Sequence, residues 1–117
     1  MLFRSDKIRD LLLEHFSDKL EPDDIKVAIM GETGMDIKLS PAAKKLIPYA
    51  IEAKNQESLS IWSALSQTET NCPDDMTPTL IFKRNRSKTY AVIELDKFIE
   101  LIKIKSKYHM GMDDRSK

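Results

Sequence analysis

In residues 5–17, "SDKIRDLLLEHFS", Ile8, Leu11, Leu12 and Phe16 recur at near-helical spacing, so a helix is expected there with Ser5 as its cap. "LEPDD" (20–24) reads as a turn. Two strands should follow: Ile25–Met30, "IKVAIM", closed by the glycines of "GETG", and Met35–Leu39, "MDIKL". In the second, Met35, Ile37 and Leu39 point one way and Asp36 and Lys38 the other. "SPAAKKLIP" (40–48) is a short connection with a single helical turn, and Pro48–Asn55 is a third strand. A second helix is expected over 58–71, with Ile61, Trp62, Ala64, Leu65 and Thr68 on one arc and Ser60, Ser63, Gln67 and Asn71 on the other. After the loop "CPDDMTP", Thr79–Arg84 and Thr89–Leu95 flank "NRSK" as a hairpin. Asp96–Lys105 closes the chain as a helix before a polar tail. The order predicts an α/β or α+β protein with a mixed sheet.

The third strand, "YAIEAKNQ", poses a chemical question. Tyr49, Ile51 and Ala53 make a plausible core face, while Ala50, Glu52 and Lys54 share the other. Asp36 sits likewise on a strand with an apolar opposite face. If the strands are neighbours, both carboxylates and Lys54 project from one side of the sheet. Two converging carboxylates need a counter-charge, and Mg²⁺, a hard cation that takes carboxylate oxygens and keeps several waters, supplies it. Lys54, about 7 Å from Glu52 along the strand, would hold an attacking water or stabilise developing negative charge. Such a set can activate water against a phosphodiester.

Size and charge set the frame for that chemistry. With 117 residues, a single domain is expected over 1–105, with 106–117 as a flexible C-terminal tail. No apolar run approaches the ~20 residues of a membrane span, and the first ten residues carry acids and no signal-peptide pattern. The single cysteine, Cys72, allows no internal disulfide and suits a reducing cytoplasm, so a soluble cytoplasmic protein without a membrane partner is expected. With two histidines beside it, a Cys/His zinc site is not expected. The zero net charge is unevenly divided: residues 1–78 hold 9 Lys/Arg against 14 Asp/Glu, and residues 79–117 hold 10 against 5. A local cationic surface is therefore compatible with neutrality, whereas strong non-specific coating of DNA is not expected.

Asp36, followed after fifteen residues by Glu52-Ala53-Lys54 on consecutive strands, resembles the signature of the PD-(D/E)XK nuclease superfamily. "GETGMDIKLSPAAKKLIPYAIEAKNQESLSIWSALSQTE" and "TPTLIFKRNRSKTYAVIELDKFIELI" together look like small phage and prophage Holliday junction resolvase-like endonucleases, across about residues 20–103. The resemblance implies a restriction-endonuclease-like αβββαβ core and Mg²⁺-dependent DNA cleavage, with Mn²⁺ able to substitute, leaving a 5′-phosphate and a 3′-hydroxyl. It implies metal binding by Asp36, Glu52 and the backbone carbonyl of Ala53, and a catalytic role for Lys54. Glu14 is the candidate for the helix-borne acid that commonly assists the metal. Met35 stands where the motif's name has proline. Branched DNA and a homodimer follow as partner expectations, with Leu12, or Ile99 and Ile102, as candidate pairing surfaces.

Each residue also has a plainer reading. Glu52 and Lys54 could be a solvated strand face, and Glu32 a loop acid. "KRNRSK" offers Lys83, Arg84, Arg86 and Lys88 as a phosphate grip, or else a polar hairpin tip that blunts an edge; Lys44 and Lys45 are weaker candidates for phosphate. Gln56 and Gln67 are candidates to contact DNA or the lysine. Trp62 is expected in the core and His15 on the surface. The alternative to a nuclease is a nucleic-acid-binding module, or a subunit that cuts only within a larger assembly.

Overall fold

The computed structural model describes residues 5–29 and 34–116, with side chains described up to residue 108. Among these residues the fold is α+β, with four α-helices and two small sheets. Helix α1 (Ser5–His15) buries Ile8, with Leu12 and Leu13 packed beside it. Arg9 ties it down: Nε donates to the Ile25 carbonyl at 2.6 Å and Nη2 to that of Pro22 at 2.9 Å. The expected turn at 20–24 contains a short 3-10 helix, Pro22–Asp24, with Pro at a first-turn position where its missing N–H costs nothing.

Strand β1 (Ile25–Val27) pairs antiparallel with β2 (Ile37–Leu39), Ile25 opposite Leu39 and Val27 opposite Ile37. Both strands are shorter than expected; Met30 and Glu32 lie outside the described residues. Asp24 connects the entry of this ribbon to its exit. Its Oδ2 accepts the Glu21 N–H and its Oδ1 the Ser40 hydroxyl, each at 2.7 Å. Ser40 Oγ in turn accepts the Ala43 N–H at 3.1 Å, capping α2 (Pro41–Leu46).

The second sheet is β3 (Tyr49–Asn55), β4 (Thr77–Lys83) and β5 (Tyr90–Val92), in the order β3-β4-β5. Strands β3 and β4 are parallel, which requires a crossover. Helix α3 (Ile61–Asn71) provides it. β5 returns antiparallel through the expected hairpin, although β4 starts earlier and β5 is shorter than the alternation suggests. The core spans both sheets: Ile25 and Ile37 of the β1–β2 ribbon and Ile51 of β3 cluster with Ile8, Leu20, Ala43 and Ile47. α3 packs on β3 and β4, setting the small buried side chains Ala64 and Thr68 towards that sheet.

Two expectations are overturned here. Trp62 is 82% exposed rather than in the core. The helix turns the edge between its polar and apolar arcs toward the sheet, which carries Trp62 round to solvent. The last helix, α4 (Leu95–Ser116), also runs well past Lys105. Among the described residues no helix is long and apolar enough to cross a membrane.

Candidate catalytic site

Asp36 immediately precedes β2 and stitches the two sheets together. Its backbone N–H donates to the Ile51 carbonyl at 3.1 Å, and its own carbonyl accepts the Ala28 N–H at 2.9 Å. Its Oδ2 accepts the Ala53 N–H at 2.7 Å. The carboxylate therefore reaches across the seam to the β3 backbone, between Glu52 and Lys54 in sequence. The anticipated meeting of Asp36 with the Glu-X-Lys strand is present, through backbone bonding as well as shared charge.

The face carrying Glu52 is not open. Glu52 is only 4% exposed, Ala50 beside it 1%, and α3 lies above them. Asn71 Nδ2, at the end of α3, sits 3.5 Å from Glu52 Oε1, a long contact that gives little compensation for a buried charge. Burial lifts the Glu52 carboxyl above its ordinary 4.5, and the Asp36 charge pushes the same way; Asn71 and then Lys54 oppose the rise. A half-buried lysine thus flanks a reluctantly ionised carboxylate that has a second carboxylate beside it.

The polar stripe of α3 explains much of the site's wall. Ser60, Ser63, Gln67 and Asn71 recur at helical spacing along one flank. The first three line a hollow of about 190 Å³ with Lys54, Gln56 and Ala64, and the fourth reaches Glu52. Gln56 and Gln67 are thereby brought beside Lys54. Asn71 was missed in the sequence reading; its place on that stripe, after an E-X-K strand, is the signal that could have found it.

Other candidates lie apart. Glu14 is exposed on α1, and among the described residues no third Asp, Glu, His or Cys joins Asp36 and Glu52 in a cluster. His15 is exposed, its Nδ1 3.1 Å from the Leu11 carbonyl. Lys83 is half-buried, and Arg84, Arg86 and Lys88 are exposed on the β4–β5 turn. Lys44 pairs with Asp75 at 3.2 Å. The Cys72 thiol is pushed up by burial and then by Asp75 and Asp74, the opposite of what an activated thiolate needs.

The donor set fits a hard divalent cation. Asp36 Oδ1 is not needed for the β3 bond, and Glu52 is a buried carboxylate whose charge the protein barely compensates. Comparison with family models, with curated proteins and with solved structures finds no match to this chain.

Proposed function

We propose that this protein is a divalent-metal-dependent DNA endonuclease with a PD-(D/E)XK-type site, acting on branched DNA in phage recombination or repair. One observation carries the reading: Glu52, 4% exposed, lies within electrostatic reach of Asp36 and two residues before Lys54. A buried carboxylate is costly unless paired or bound to a metal, and a second carboxylate beside it raises that cost. An apolar residue would serve the fold better, so function is the better account of its presence. The restriction-endonuclease-like core belongs to the same proposal, supported by the strand seam at Asp36 and the α3 crossover after β3.

Asp36 Oδ1, the Glu52 carboxylate and the Ala53 carbonyl would hold Mg²⁺ or Mn²⁺. When bound, the cation neutralises charge on the scissile phosphate and lowers the pKa of a coordinated water. The Ala53 N–H keeps the Asp36 carboxylate oriented toward the seam. Asn71 restrains Glu52. The Lys54 ammonium donates to water or to a phosphate oxygen and offsets charge that develops during attack; it has no lone pair for the metal. The β4–β5 turn supplies cations for flanking phosphates.

A second reading, a nucleic-acid-binding module without hydrolysis, is favoured by the near-complete coverage of Glu52 and by the two-carboxylate ligand set. Cleavage assays on four-way junctions, forks and linear duplex, with and without Mg²⁺ or Mn²⁺, decide between them. Metal-dependent cutting lost in Asp36→Asn and Glu52→Gln supports the nuclease; binding without cutting under every metal condition supports the module.

A further inference from the structure

Lys54, Phe82 and Tyr90 form a row across three strands, because Lys54 is opposite Phe82 and Phe82 opposite Tyr90. Neighbouring strands are about 5 Å apart, so the aromatic pair continues directly from the proposed catalytic lysine. The two rings lie 6.1 Å apart and tilted by 33°, and Tyr90 remains 54% exposed. They border a cleft of about 350 Å³ whose apolar walls include Leu59 and Ile61. Gln56 offers an amide at its edge, and Lys83 and Arg84 bring positive charge. Glu57 also lines it, but its Oε2 accepts the Asn85 N–H at 2.5 Å. Gln56 and Leu59 are shared with the hollow beside Lys54, so the two spaces adjoin.

An ordinary cross-strand aromatic pair would account for the rings alone. It does not account for an adjoining cleft with an amide and two cations. We propose that this cleft takes an unstacked nucleobase of the DNA strand, with Tyr90 as its stacking face and Lys83 and Arg84 on the flanking phosphates. A base within duplex DNA is held in its stack, whereas one at a branch or single-stranded end is available without that cost. The cleft thus gives the proposed nuclease site a physical means of preferring branched DNA. Its position relative to the reaction rests on the nuclease reading; base capture itself does not.

The test uses Asp36→Asn protein, so binding is measured without cutting, on 2-aminopurine-labelled single-stranded, forked and duplex DNA. Tyr90→Leu should weaken single-stranded and forked binding about ten-fold or more, with little change for duplex. Quenching of 2-aminopurine should fall with it, and Tyr90→Trp should retain both. Equal affinity of the Leu variant and its parent for forked DNA, with both folded by circular dichroism, overturns the proposal. So does an equal loss on duplex. Failure of the wild-type protein to cleave leaves these readouts intact and tells only against the nuclease.

Discussion

Asp36 Oδ2 accepts the Ala53 N–H at 2.7 Å, so a proposed metal ligand is also the clasp between β2 and β3. Structure and chemistry can be separated there. Asp36→Asn keeps an acceptor oxygen and should cost less than about 1 kcal/mol of stability, whereas Asp36→Ala should cost about 1.5–3 kcal/mol, as for a hydrogen bond to a charged group. Both should abolish cleavage. Urea denaturation beside a nicking assay checks this; an Asn variant that cuts normally removes Asp36 from the metal site.

Glu52 should behave in the opposite sense. Its folded-state pKa is raised above 4.5, so the fold favours its protonated form. That stabilisation is fully present below the unfolded pKa and is lost as pH rises through the folded value. Metal-free Glu52→Gln should therefore gain stability relative to wild type as pH goes from 4 to 7.5, while losing cleavage. Melting temperatures at the two pH values measure it. A gap that narrows with rising pH contradicts the buried-charge account. Mg²⁺ should raise the wild-type melting temperature and leave the variant's unchanged.

Asp24 gives an acid-side dependence. Its carboxylate is held below 3.8 first by the Ser40 hydroxyl and then by the Glu21 N–H. The associated stability is present above the unfolded pKa and disappears as pH falls through the lower folded value. Ser40→Ala removes that partner and the α2 cap, and should cost about 0.5–2 kcal/mol near neutrality. Its difference from wild type should shrink in denaturation curves taken at pH 2–3. A difference that stays constant from neutrality to pH 2 assigns the effect to the cap alone.

Arg86 occupies a left-handed conformation at the hairpin turn, with φ of 64°. Glycine adopts that geometry without a Cβ penalty but loses more entropy on folding. Arg86→Gly should thus change stability by no more than about 1 kcal/mol while weakening DNA binding. If Arg86 contacts a phosphate, the slope of log K against log salt should fall by about 0.9 for duplex DNA. An unchanged slope makes this residue part of a solvated turn.

The sequence alone determined the order of most elements, because alternation in strands and helical spacing are local properties of the chain. It also placed Asp36, Glu52 and Lys54 on adjacent stretches with plausible chemistry. Tertiary structure decided which helix flank met the sheet, turning Ser60, Ser63 and Gln67 beside Lys54 and leaving Trp62 in solvent. It buried Glu52 beneath α3 and brought Asn71 to it, although the strand alternation suggests an open polar face. It also drew the Asp36 carboxylate across the seam to the Ala53 N–H. These outcomes depend on how a crossover helix seats on β3 and β4 and how two sheets meet edge to edge. Such contacts join residues distant in sequence, and neither helical nor strand periodicity contains them.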